Sequence, residues 1–254
     1  MQDICFKGKF LHDLGAVISE VVKFPTFSRE LEFKDLPAKD GAVIIDKKRC
    51  KGSSVTYKIT HVPTLDDAEK SEIEFRDSLA DWLLSSYDYA ILRDSEIPGY
   101  FRKAVCTSIG TPTIQATGIV TTAVTFYMDP YLYSDTGAKK LSFLSSNGTV
   151  NVTLTNPEKW TAEPVITIIG AGNYSCAFGD IGIALANISD SVTIDKPAEN
   201  IYDSNGCDMN DHMINGNYLP VFEAGKTNIF IQGVTSQSEP AEFSVEIIPN
   251  WRRL

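Results

Sequence analysis

The sequence predicts a mainly β protein in two parts, with one amphipathic α-helix in the first part. Three observations carry this. Short runs rich in Thr, Val, Ile and aromatics alternate with Gly, Pro, Asn and Asp along most of the chain. Only the stretch 64–84 shows helical periodicity. From 139 to 235 strand-like runs recur at a spacing of roughly ten residues, the signature of a β-sandwich.

In order along the chain, Phe6 and Phe10 flank Lys7-Gly8-Lys9, and Val17, Ile18, Val21 and Val22 follow before Pro25. Leu31 and Phe33 alternate with charges, Ala42-Val43-Ile44-Ile45 is apolar, and Val55, Tyr57 and Ile59 alternate cleanly. The segment Thr64–Leu84 reads as a helix. Thr64 with Asp67 fits a capping box, and Phe75, Leu79, Trp82 and Leu83 form one apolar stripe, so Trp82 is expected in the core. Tyr100–Val105 and Thr117–Tyr127 return to strand patterning, Asp129-Pro130 ends the second run, and Ser134-Asp135-Thr136-Gly137 reads as a linker. Beyond it, strands are expected at Val150–Leu154, Val165–Ile169, Ile181–Ala186, Val192–Ile194 and Ile229–Ile231.

Of the 254 residues 43% are hydrophobic and 22% charged, a normal globular composition, and the formal net charge is −10. That balance argues against sequence-independent phosphate binding, which needs a basic surface. No apolar run is long enough for a membrane span, and the first residues lack a secretory pattern. The five cysteines, Cys5, Cys50, Cys106, Cys176 and Cys207, are odd in number and show no CxxC, which suits free thiols rather than a disulfide framework. Asn-x-Ser/Thr matches at Asn147, Asn151, Asn173 and Asn187 read as strand and turn chemistry.

The search for catalytic or ligand chemistry yields little. His12, His61 and His212 sit in unlike contexts without metal-ligand spacing, so neither a metal site nor a cofactor is expected. No Gly-x-Ser-x-Gly elbow occurs, and Gly170-Ala171-Gly172 lacks both the third glycine and a following helix. The polar loop Asp203–Asp211 departs from the calcium-loop pattern and reads as a solvated turn. No catalytic residues are assigned, and the chain is expected not to be an enzyme.

Taken in order, several segments resemble the distal tail proteins (Dit) of long-tailed phages that infect Gram-positive bacteria. They are Phe6-Lys7-Gly8-Lys9-Phe10 with Asp13-Leu14-Gly15; Asp40-Gly41 before an apolar strand; and Trp82-Leu83-Leu84 with Tyr87 and Leu92-Arg93-Asp94. The series continues with Phe126, Pro130 and Tyr131; Pro164–Ile168 with Gly170; Leu219-Pro220; Gly225 with Asn228-Ile229; and the closing Pro249-Asn250-Trp251-Arg252. Met128 departs from that pattern.

The resemblance implies a structural rather than catalytic protein: an N-terminal β-sandwich with one α-helix, plus a C-terminal galectin-like β-sandwich. It implies a hexameric ring, single or stacked, at the tail tip or baseplate of the virion, assembled in the host cytoplasm. The implied partners are further copies of itself, the tail tube protein, a tail-tip or tail-associated protein, and baseplate or receptor-binding proteins that carry host attachment. DNA would pass through the central channel without specific binding, and no membrane insertion is implied. The carbohydrate-binding modules inserted in longer members are not expected in 254 residues.

Two local expectations follow. The charged turns Lys34–Gly41 and Asp46–Gly52 around an apolar strand read as a projecting hairpin arm. Lys39, Asp40, Gly41, Lys47, Lys48 and Arg49 are its candidate ring-interface residues, meeting acidic partners at a salt-sensitive rim. The alternation Phe243, Val245, Ile247 ending in Trp251 and Arg252 is expected to anchor the C-terminus in the first sandwich. The domains would then be 1–136 with 239–254, and 137–238. The alternative function is a carbohydrate-binding adhesion module, for which Trp160 and Tyr174 are the candidate aromatic platforms.

Overall fold

The computed structural model describes residues 2–20, 24, 27–61, 71–85, 87–115, 118–216 and 218–254. The chain divides into two compact units, Met1–Leu132 with Leu254, and Tyr133–Arg253.

The first unit contains β1 (Ile4–Phe6), β2 (Lys9–Phe10), β3 (Ala16–Ile18), β4 (Arg29–Asp35), β5 (Ala42–Cys50) and β6 (Ser53–His61). Helix α1 (Ser71–Leu83) follows, then β7 (Ala90–Asp94), β8 (Tyr100–Ile109), β9 (Thr113–Ile114) and β10 (Val120–Met128). The main sheet runs β2-β1-β7-β8-β10-β6-β3, with β9 beside β10. The Phe6–Phe10 segment turns through Lys7 and Gly8, both at positive φ (52° and 80°). Two consecutive left-handed residues are what a two-residue hairpin requires, and glycine makes the second one inexpensive.

The inward faces of these strands and the helix share one core. Phe6 and Tyr57 pack edge-on against Phe126, at centroid distances of 5.2 Å and 6.0 Å. The stripe Phe75, Leu79, Trp82 and Leu83 is buried as its period requires. The Trp82 indole N–H donates to the Phe6 carbonyl at 2.8 Å, so its one polar atom is satisfied inside the core. The capping residues Thr64 and Asp67 lie outside the described residues.

The opposite face of the sheet carries hydroxyls. Thr56 meets Thr125 at 3.0 Å and Thr60 meets Thr121 at 3.1 Å, directly across the β6–β10 ladder. Strand β8 presents Lys103 and Val105 on this face, opposite Ile91 and Tyr127 respectively. Meanwhile Arg102, Ala104 and Cys106 turn inward and are buried.

The second unit contains β11 (Leu132–Ser134), β12 (Leu141–Leu144), β13 (Thr149–Asn156), β14 (Val165–Ile169), β15 (Gly172–Phe178) and β16 (Ile181–Ile188). It continues with β17 (Ser191–Asp195), β18 (Asn200–Tyr202), β19 (Met213–Asn215), β20 (Gly225–Val234), β21 (Ser244–Ile248) and β22 (Arg252–Arg253). Two five-stranded sheets form, β12-β21-β14-β17-β18 and β13-β20-β15-β16-β19. Ile166, Ile168, Val192, Ile194 and Val245 from one sheet meet Cys176, Phe178, Ile183, Leu185 and Ile231 from the other in a single core. That is sheet-on-sheet packing, and the fold is mainly β as the sequence predicted. The strands expected from 150 to 231 all form, within β13, β14, β16, β17 and β20. The Asn147-Gly148 turn between β12 and β13 holds both residues at positive φ.

The expected domain division needs correcting. The break falls at Leu132/Tyr133, and the tail as far as Arg253 stays in the second unit. Strand β21 is an interior strand there, with β12 on one side and β14 on the other. Phe243, Val245, Ile247 and Trp251 fill that unit's core. The alternation identified a half-buried strand correctly, but period 2 says nothing about which sheet receives it.

Candidate functional site

Strands β4 and β5 pair only with each other among the described residues, as a two-stranded ribbon. Their register sets Leu31 opposite Asp46, Phe33 opposite Ile44, and Asp35 opposite Ala42. Glu32 faces Ile45 and Lys34 faces Val43. Directly opposed residues share a face, so the ribbon is two-sided. One side carries Leu31, Phe33 and Ile44, with Asp46 and Asp35 toward its ends. The other carries Glu30, Glu32, Lys34, Lys47 and Arg49, together with Val43 and Ile45.

Four of the charges on that second side are matched within the ribbon. Lys47 Nζ lies 3.3 Å from Glu30 and 3.9 Å from Glu32, and Arg49 donates from Nε to Glu30. The Arg49 guanidinium, with Lys47 behind it, holds the Glu30 carboxyl down at about 2. The apolar side is left open: Phe33 is 64% and Ile44 61% exposed.

These observations place the predicted arm residues and revise part of their reading. The hairpin exists, and Lys39, Asp40 and Gly41 are exposed in its tip loop between β4 and β5. Asp46–Arg49, expected as a charged turn, is instead strand, because Lys47 and Arg49 find partners across the ladder. The turn into β6 is only Lys51-Gly52. The sequence reading placed Leu31, Phe33 and Ile44 in strands and gave them no part in the interface. Their signal was available in the alternation of Leu31 and Phe33 with Glu30, Glu32 and Lys34.

The C-terminal pair lies in a different setting. Trp251 is buried with its ring 5.8 Å from that of Phe222. A methyl group on Gly137 would stand 2.3 Å from the Trp251 backbone nitrogen, so only glycine fits there. Arg252 is buried and bidentate on Glu163, at 2.6 Å and 2.7 Å, while its Nε donates to the Thr161 carbonyl at 2.8 Å. Asn250 donates from its side chain to the Glu163 carbonyl and from its backbone to the Gly137 carbonyl, each at 2.8 Å.

Other candidates resolve into structural roles. His61 donates from Nδ1 to the Gly15 carbonyl and stacks on Phe75 at 4.6 Å, and His212 donates from Nδ1 to the Ala186 carbonyl at 2.8 Å. Asp203 accepts from the backbone N–H groups of Cys207 and Asn205, which lower its carboxyl below the usual range and close the loop as a turn. Burial pushes the Cys176 thiol up to about 12. No cluster of metal-ligating side chains occurs among the described residues. Tyr174 is buried edge-on against Phe243, with its hydroxyl on the Gly170 carbonyl, so it makes no surface platform with Trp160.

The architecture is therefore that of a two-unit, mainly β protein whose first unit extends an amphipathic ribbon. It is similar, over 100% of both chains, to the crystal structure of the SPP1 Dit (gp 19.1) protein, described as a paradigm of the hub adsorption apparatus in phages infecting Gram-positive bacteria. The TM-score is 0.69 at 14% sequence identity, which establishes the shared fold. No family model matches the sequence, and no curated protein matches it.

Proposed function

We propose that this chain is a structural hub of a phage tail tip. The observation that carries the reading is the end-to-end likeness of both units to a hub adsorption protein. In this reading six copies close a ring through their first units. The ring joins the tail tube to tail-tip and host-adsorption proteins within the virion, and the second unit, galectin-like in this reading, is turned to those partners. The arm embraces the neighbouring copy, and Lys39, Asp40 and Gly41 at its tip reach furthest from their own sheet.

The charge supports a conduit. Each copy brings a formal −10, so a ring has no excess of cations with which to retain DNA through counterion release. DNA then passes without specific binding. The test is the mass of the purified full chain in solution, followed by electron microscopy of particles. A hexamer, or two stacked hexamers, around an open channel is expected. A protein that stays monomeric at high concentration, and is absent from the tail tip by immunolabelling, overturns the reading.

A further inference from the structure

We propose that the ribbon docks through its apolar side, seating Leu31, Phe33 and Ile44 on the outer sheet face of the next copy at Tyr89, Ile91, Val105 and Tyr127. This rests on the ring reading and specifies its contact. It replaces the expectation of a basic arm meeting acidic partners.

The ribbon's own chemistry excludes the charged side as the main contact. Lys47 and Arg49 already have carboxylates across the ladder, at Glu30 and Glu32. Recruiting them to a second partner would break those pairs for little gain, because exposed ion pairs are weak and screened by salt. The apolar side has the opposite balance. Phe33 and Ile44 lie side by side across the ladder, both more than half exposed, and Leu31 extends the ridge. An isolated two-stranded ribbon is marginal in water, and a contiguous exposed apolar ridge marks a surface that becomes covered.

The seat is on the chain itself. Tyr89 (52%), Ile91 (45%) and Tyr127 (37%) are exposed, and Val105 is half-buried. The pairings Ile91–Lys103 and Val105–Tyr127 put Ile91, Val105 and Tyr127 on one face of the adjacent strands β7, β8 and β10. Tyr89 precedes β7 by one residue, in phase with Ile91. Asp35 stands at one end of the ridge and Lys103 on the receiving face, opposite in sign, whereas Asp46 and Lys58 are already engaged within the chain by Arg29 and Glu20. The seven residues of β4 span about 23 Å, enough to cross the roughly 14 Å occupied by three strands, as one sheet layer on another. Ridge and seat are different patches of the same chain. The contact is therefore heterologous, the kind that closes rings rather than two-fold dimers.

The experiment compares full-length chains by light scattering coupled to size exclusion, at about 0.15 M and about 1 M salt, where charge screening differs most. Wild type is expected to keep its assembled size in both. Phe33→Glu, which keeps the seat, and Ile91→Glu, which keeps the arm, should each run as monomers with unchanged melting curves. Mixed in equal amounts they should give a dimer and nothing larger, because one intact arm and one intact seat remain. Lys47→Ala with Arg49→Ala should assemble as wild type does. Ile44→Ser serves as a second ridge variant and should also dissociate the assembly. A wild-type assembly that survives Phe33→Glu and Ile44→Ser, a mixture that stays monomeric, or dissolution at high salt overturns this contact while leaving the ring standing. A monomeric wild type overturns both.

Discussion

The arm of the first unit and the closing segment of the second use the same residue types to opposite ends. Each has an arginine on a glutamate, Arg49 on Glu30 and Arg252 on Glu163, beside large apolar side chains. In the arm the cations Lys47 and Arg49 are exposed and the apolar ridge is open to solvent. At the C-terminus Trp251 is inside the core and Arg252 is covered, with Nε also held by a backbone carbonyl. Charge pairs next to a filled core add to a stability that already exists. Charge pairs behind an open ridge only keep one side of the ribbon soluble. The closing segment is finished within the chain; the arm awaits another surface.

The comparison breaks most readily at Trp251. Trp251→Ala should destabilise the second unit by about 3–5 kcal/mol, read from its urea transition, because the cavity beside Phe222 cannot close fully. Phe33→Ala, removing a ring of similar chemistry from the arm, should change the isolated chain's stability by less than about 0.5 kcal/mol. Equal effects at the two sites would erase the distinction. Gly137→Ala probes the same closing segment from the other side. Its new methyl would sit 2.6 Å from the Trp251 Cβ, and a loss of about 1–3 kcal/mol is expected from overpacking. An unchanged transition would mean that the segment is not held against Gly137.

Arg252→Leu should cost less, about 1–2 kcal/mol. Glu163 is one-third exposed, so it recovers hydration once its partner is gone instead of remaining as a buried lone charge. The loss should persist at high salt, since Arg252 itself is covered. A salt-dependent effect would put this pair in the same class as the arm's.

Much of this was legible in the sequence, and the exceptions share a cause. The stripe Phe75, Leu79, Trp82 and Leu83 located the helix core because its period is local. The alternation at Phe243, Val245 and Ile247 located a strand for the same reason. What the sequence does not encode locally is the partner. Strand β21 is inserted between β12 and β14, where Val245 pairs with Phe143 and with Ile168, 102 and 77 residues away in sequence, and no local pattern names such distant partners, so its sheet was assigned wrongly. Lys47 and Arg49 looked like a turn because their partner, Glu30, is 17 and 19 residues away. Once Glu30 and Glu32 are set against Lys47 and Arg49, each pair two residues apart, both segments read as facing strands. The ridge of Leu31, Phe33 and Ile44 had no role in the sequence reading, which set the interface on Lys47 and Arg49, the two cations that Glu30 holds across the ladder.

The smallest expected effect sharpens the comparison by pH. The folded Glu30 carboxyl titrates at about 2, below its ordinary value of 4.5, because Arg49 and then Lys47 favour the charged form. A depressed acid pKa adds stability that is fully present above the ordinary value and is lost as pH falls through the folded one. The ribbon's pairing should therefore be intact at pH 5 and weaken progressively between about 4.5 and 2. Carboxyl NMR of the full chain should show the Glu30 resonance with its midpoint near 2, and Arg49→Ala should move that midpoint up toward ordinary glutamate. Because Arg49 faces water and the ribbon pairs only with itself among the described residues, the global unfolding midpoint near neutral pH should be the same in Arg49→Ala as in wild type. A Glu30 midpoint at the ordinary value would mean that the charged side of the ribbon is not self-paired. Lys47 and Arg49 would then be available to a partner, and the salt-sensitive rim would return as the better account of the arm.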